Sequence, residues 1–210
     1  MKTFLIVFAT VGFMLTCCSK EDENKPETGT VTDTDGNSYK TVKIGDQWWM
    51  TENLKVTHYG NGDPIPEVTD NTQWSALDTG AYCNYGNDAG RVSNYGRLYN
   101  WYVINDNRNI APEGWHVATY DDWTFLIDFL GGEITAADEL DKYEFNVHPG
   151  GYREYADGSY QGIDNWASWW TGSAYDAGNA WEVSISTGGS WIGRGSDDKR
   201  LGSAVRCVKD

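Results

Sequence analysis

A chain of 210 residues carrying 11 Trp, 13 Tyr and 24 Gly has few folds open to it. Large amphipathic rings need a packed interior or a surface on which to stack. Glycine at this density interrupts long helices and marks turns. Together they predict an aromatic-dense domain of short strands and long loops, and they argue against a helix bundle. Composition leaves open whether the rings form the core or a stacking platform for sugars and peptides.

Charge narrows the partners. A formal net charge of −15 and a pI near 4.4 argue against nucleic acid, which needs clustered Lys and Arg, and against electrostatic docking on anionic lipid. The membrane enters through the N-terminus instead. Lys2 is followed by an apolar run from Phe4 to Leu15 and then by Thr16-Cys17-Cys18, the pattern of a secretory signal, too short to span a bilayer core of roughly 20 apolar residues. We expect residues 1–17 to be a signal peptide, 18–29 a solvated acidic tether and 30–210 one domain. Only Cys83 and Cys207 remain in that domain. An even pair in an oxidising compartment predicts a disulfide, with two free, buried thiols as the alternative.

Within the domain, Asp35-Gly36-Asn37 between β-prone flanks predicts a hairpin, and Gly45-Asp46 extends it to a three-stranded meander. The Asp33-Thr34-Asp35-Gly36 stretch lacks the distal Glu of a calcium loop, since Ile44 stands there. Residues 55–80, with Gly60, Gly62, Pro64 and Pro66, read as a surface excursion, and Tyr95–Ile104 as a short helix. Thr119 and Asp122 approximate a capping box ahead of Trp123, Leu126, Ile127 and Leu130. These residues fall at helical spacing, Phe125 and Phe129 widen the buried face, and Gly131-Gly132 stops the helix. A second, weaker helix covers Thr135–Leu140. Trp181, Val183 and Ile185 alternate with polar residues as a half-buried strand, Arg194–Leu201 reads as a polar loop, and Ser203–Val208 as a last strand.

Six phrases then stand out in order: Asp35-Gly36-Asn37; Ile44-Gly45 with Trp49-Met50-Thr51-Glu52-Asn53-Leu54; Tyr95-Gly96-Arg97-Leu98-Tyr99-Asn100-Trp101; Pro112-Glu113-Gly114-Trp115-His116-Val117; Trp169-Trp170-Thr171-Gly172-Ser173; and Ala204-Val205-Arg206-Cys207-Val208-Lys209-Asp210. In this order they resemble the Fibrobacter succinogenes major paralogous domain, found in lipoproteins of gut Bacteroidetes, over residues 30–210. That family in turn resembles the C-type-lectin-like fold in its formylglycine-generating-enzyme variant. The resemblance implies a single α+β domain with small twisted antiparallel sheets, about two helices and long loops. Leu15-Thr16-Cys17-Cys18 resembles a lipobox, which makes Cys18 the lipidated residue. The acidic run behind it resembles a Bacteroidetes export signal, which implies an outer-membrane lipoprotein facing the cell exterior. The resemblance also implies a further role, since lipoproteins of this fold type can be targets of diversity-generating retroelements.

No catalytic residue is assigned. His58, His116 and His148 lie in no nucleophile motif, zinc spacing is missing, and no cofactor or metal is expected. The copper-binding cysteine pair of formylglycine-generating enzymes has only Cys83 and Cys207 to draw on. The Glu-Pro-Asn and Trp-Asn-Asp phrases of calcium-dependent lectins are missing. Binding remains, through the aromatic and polar mixture of residues 165–201, with Trp191, Arg194, Asp197, Asp198, Tyr175 and Trp166 as the candidate contacts. The expected role is a non-enzymatic, surface-displayed binder of a glycan or protein. The alternatives are a polysaccharide hydrolase with an unidentified carboxylate pair, or a retroelement-diversified receptor.

Overall fold

The computed structural model describes residues 25–189 and 191–210. The signal segment and the Cys18 anchor lie outside the described residues. The strands are β1 (Thr28–Thr32), β2 (Ser38–Ile44), β3 (Gln47–Met50), β4 (Tyr82–Cys83), β5 (Leu98–Tyr99), β6 (Trp115–Val117), β7 (Gly150–Arg153), β8 (Tyr160–Ile163), β9 (Trp166–Ala174), β10 (Asn179–Ser186), β11 (Ile192–Asp198), β12 (Ala204–Val205) and β13 (Cys207–Lys209). The helices are α1 (Asn71–Ser75), α2 (Val92–Tyr95), α3 (Trp101–Ile104), α4 (Tyr120–Phe129) and α5 (Ala136–Leu140). None of them is long and apolar enough to cross a membrane.

Two sheets organise the molecule, a five-stranded one in the order β1-β2-β3-β13-β6 and a four-stranded one in the order β11-β10-β9-β12. The first three strands form the expected meander, with Thr32 opposite Ser38 across the Asp35-Gly36 turn. Asp33 fixes that turn by accepting from the Asp35 and Asn37 amides. Strand β1 starts at Thr28, inside the stretch expected to be tether, because Thr28 and Gly29 find ladder partners in Val42 and Thr41.

Helix α4 lies against both sheets. Thr119 Oγ1 accepts from the Asp122 amide at 3.2 Å and Asp122 accepts from the Thr119 amide at 2.9 Å. This capping box is worth about 1 kcal/mol. Trp123, Leu126, Ile127 and Leu130 pack with Val42, Ile44 and Trp49 of one sheet and with Trp169, Val183, Ile185 and Ile192 of the other. Phe125 and Phe129 are not part of that buried face. They are 42% and 50% exposed and rest over Gly45, where a Cβ would come within 3.2 Å of both rings.

Other expectations are corrected by packing. There are five helices among the described residues, the additional ones being single turns. Residues 55–80 are not a surface excursion, since Val56, Tyr59, Ile65 and Trp74 are all buried. Leu98 pairs with Cys83 in a two-residue ladder, and helix begins only at Trp101. Arg194–Asp198 continues β11, because every residue from Ile192 to Asp198 has a partner on β10. Ser203–Val208 divides at Arg206 between the two sheets, β12 pairing with β9 and β13 with β3 and β6. Cys83 and Cys207 form no disulfide. Both are free and buried in separate apolar clusters, one beside Trp74 and Leu98, the other beside Val117 and Val205. Burial pushes the Cys83 thiol up to about 11 and the Cys207 thiol higher still, which leaves both inert.

Candidate functional site

The four-stranded sheet has two unlike faces. Along β10, Val183 and Ile185 point toward α4, while Glu182 and Ser184 point away from it. On the away side the β7–β8 hairpin closes over the sheet and leaves a cleft of about 280 Å³. Tyr152, Glu154, Trp166, Glu182, Ser184, Gly195, Ser196, Asp197 and Leu201 line it. Glu182 stands opposite Gly195, and Ala180 opposite Asp197. Glu182 and Asp197 are therefore diagonal neighbours on one face, where side chains on adjacent strands interact.

Two glycines shape this hollow. Gly162 on β8 has φ 74°, and a Cβ there would lie 2.9 Å from Trp166 and 3.3 Å from the Tyr152 ring. Only glycine suits both that backbone and that gap. Gly195 is the reverse case: a Cβ there would meet nothing within 4 Å, so the space above it belongs to the cleft.

The electrostatics are those of crowded, partly desolvated carboxylates. Burial pushes Glu182 up to about 7; the Ser168 hydroxyl opposes this and the charge on Asp197 adds to it. Glu154 is raised by burial and then by Asp197 and Asp157, and Asp197 by burial and the charge of Asp198. The Tyr152 hydroxyl is raised by burial and by the charges of all three cleft carboxylates. Ser168 donates to Glu182 Oε1 and shares a hydrogen bond with Ser203. Among the described residues no group of three His, Cys, Asp or Glu side chains is placed to hold a metal ion.

Of the six binding candidates, the cleft brings together Trp166 and Asp197 and no others. Arg194 lies on the helix side, where it donates to Glu133 at 2.7 Å and to Thr124 at 3.0 Å. Asp198 is engaged by Arg200 at 2.6 Å. Tyr175 is exposed and edge-on to Trp181 at 4.8 Å, itself 4.4 Å from Tyr120. Trp191 is 49% exposed beyond the end of β10, over Gly193. Trp169 and Trp170 are fully buried, their indole N–H groups donating to Asn53 and to the Tyr99 carbonyl. None of the three histidines lines the cleft.

Sequence reasoning missed Tyr152, Glu154, Glu182, Ser184 and Gly195. One signal was present: Glu182 and Ser184 on the polar side of a strand, with glycines in the next strand that leave room above them.

A larger hollow of about 690 Å³ lies between β1–β2 and the Lys142–Glu144 turn. Lys142 there is already paired with Glu139, and the wall ends at Lys25, where the described residues begin. The family model described as the Fibrobacter succinogenes major domain matches residues 42–209. No curated protein and no solved structure matches.

Proposed function

The chain belongs to the Fibrobacter succinogenes major domain family, and from that premise we propose that it is a surface-displayed lipoprotein whose cleft binds a glycan or protein ligand without transforming it. The observation that carries the binding reading is the joining of Trp166, Tyr152 and three carboxylates in one hollow of about 280 Å³. Rings offer flat apolar area, while Ser and carboxyl groups offer directional hydrogen bonds, the usual division of labour in a small-ligand site. The anchor on Cys18 and the outward-facing, outer-membrane location are supported by the residue pattern around Cys17-Cys18 and the acidic run after it. The finer architecture proposed is C-type-lectin-like in its formylglycine-generating-enzyme variant. It is supported by the sequence phrases that lead into the helix opening at Thr119 and close on the strand holding Cys207.

Glycan and protein arrays probed with the wild type and with Gly195→Leu test the binding. The added side chain fills the cleft where there is room for it, so we expect specific signals that disappear in the variant. A wild type silent on both arrays overturns the reading. Incorporation of labelled palmitate, lost in Cys18→Ala, tests the anchor, and protease shaving of intact cells tests its outward side.

One observation favours a second reading. Glu182 and Asp197 share a face, and a carboxyl held near neutrality is suited to general-acid work on a glycosidic bond. A polysaccharide panel that yields product with the wild type and not with Glu182→Gln supports this; no product at any pH removes it.

A further inference from the structure

Every titratable group that lines the cleft is acidic, and no Lys, Arg or His is among its lining residues. Carboxylates partly withdrawn from water are ordinarily neutralised by a partner. Other half-buried carboxylates of this protein do meet a cation: Asp35 meets His58, Asp122 meets His116, and Asp198 meets Arg200. Among the described residues Glu154, Glu182 and Asp197 have no cationic neighbour within salt-bridge distance. Glu182 is the most enclosed of the three. One of its oxygens accepts from Ser168, while Oε2 has no hydrogen-bond partner among the described residues and the side chain forms part of the cleft wall. The three carboxylates are not arranged to chelate a metal ion.

Two further facts restrict what cationic ligand would suit the cleft. Trp166 and Tyr152 flank the carboxylates, and aromatic faces attract ammonium groups as well as stacking on flat C–H surfaces. The hollow, at about 280 Å³, sits at the small end of ligand clefts, the size class of one sugar ring. Resting on the binding reading above, we infer that the cleft takes a protonated amino sugar, its ring against Trp166 and its ammonium group among Glu154, Glu182 and Asp197. The ammonium supplies the donors that Glu182 Oε2 lacks and relieves the repulsion among the three carboxylates. An N-acetylated or neutral sugar of the same shape supplies neither the charge nor the three donors.

The test uses the full chain and isothermal titration at pH 7 with three disaccharides: the β-1,4 dimer of glucosamine, its N-acetylated form, and cellobiose. The glucosamine dimer is expected to bind at least tenfold more tightly than the other two. Glu182→Gln with Asp197→Asn should reduce that preference at least tenfold. Asp46→Asn with Asp121→Asn removes the same charge from exposed positions outside the cleft and should change nothing. Thermal melts of each variant show whether it is folded, and Gly195→Leu provides an independent block of the cleft. Equal binding of the acetylated or neutral dimer overturns the amino-sugar assignment and leaves the cleft as a glycan site. Glucosamine binding untouched by the cleft variants, or lowered equally by the surface pair, also overturns it, as general attraction to an acidic protein. Binding of a lysine-bearing peptide with no response to the amino sugar overturns it in favour of a protein ligand. Silence toward all three sugars, together with silent arrays, overturns the binding reading as well.

Discussion

Glu182 is held in a place that resists its charge. Its neighbours across the ladders are Trp170 and Gly195, and among the described residues the hydroxyl of Ser168 is the one hydrogen-bond partner of its carboxyl group. Burial, with help from Asp197, moves it from an ordinary 4.5 to about 7. The folded state therefore binds this proton more tightly than the unfolded chain does. Its contribution to stability is full below about pH 4.5 and is lost as pH rises through about 7. Glu182→Gln mimics the protonated side chain, so it should melt close to wild type at pH 5 and above it at pH 8. At about 1.4 kcal/mol per unit of displacement, reduced for partial solvent access, the gain is on the order of 2 kcal/mol, or several degrees. Melting curves across pH 5–8 check this, and an equal shift at both ends contradicts it. Little of Glu182's role was legible in sequence. Alternation put it on the polar side of β10, and a polar side ordinarily means solvent. What encloses it is the β7–β8 hairpin, from residues about 30 positions upstream along the chain.

At the scale of elements, helix α4 shows how local chemistry and a distant partner combine. Its start was readable because Thr119 and Asp122 are three residues apart and the cap is formed within one turn. The Asp122 carboxylate does more than cap, since it also accepts from Gln47 at 2.8 Å and meets His116 Nε2 at 3.0 Å, while His116 Nδ1 meets Asp210 at 2.7 Å. One imidazolium thus ties β6, the start of α4 and the residue after β13. Hydrogen bonding to Asp122, followed by that to Asp210, raises it from 6.5 to about 9, against the opposing effect of burial. Its stabilisation is complete below about pH 6.5 and lost as pH rises through about 9. With the side chain 38% exposed, screening limits the effect to about 1 kcal/mol. His116→Gln should melt a few degrees below wild type at pH 6 and together with it at pH 10. A deficit that persists at pH 10 assigns the residue a packing role instead. Strand β11 teaches the opposite lesson. Arg194-Gly195-Ser196-Asp197-Asp198 has no apolar periodicity, so it reads as loop, and only its register against β10 makes it a strand. Its alternation then sends Arg194 to the helix side and Asp197 to the cleft, which separates residues that sequence had grouped.

The whole molecule is joined at a buried arginine. Arg206 is fully buried between β12 and β13, where the chain passes from one sheet to the other. Its guanidinium donates to Asn53 at 2.7 Å, to the Met50 and Phe145 carbonyls at 3.0 Å each, and to the Asn146 carbonyl at 2.8 Å. The planar fork reaches the five-stranded sheet and the segment after α5 at once. Lysine has too few fixed donors to replace it. Arg206→Lys should cost about 3 kcal/mol, since buried carbonyls lose their donors and a charge stays enclosed. Arg206→Ala should fail to accumulate as folded protein. Denaturant unfolding measures the first, and a loss below about 1 kcal/mol in Arg206→Lys contradicts this account. Sequence marked Arg206 as part of a family phrase, yet it read the segment around it as one strand in one sheet.

By itself the sequence determined what depends on neighbours a few residues apart: the hairpin at Asp35-Gly36, the cap and stop of α4, the alternating faces of β10 and the aromatic, glycine-rich character of the domain. It also sufficed for the family, whose phrases survive as words in order. Tertiary structure decided which tryptophans are core, that Cys83 and Cys207 lie apart, and that Trp166 and Asp197 share a cleft with Tyr152, Glu154 and Glu182. The reason is physical. Turns and caps are satisfied within one or two turns of backbone, while burial and charge repulsion depend on distances through space, which the order of residues does not state.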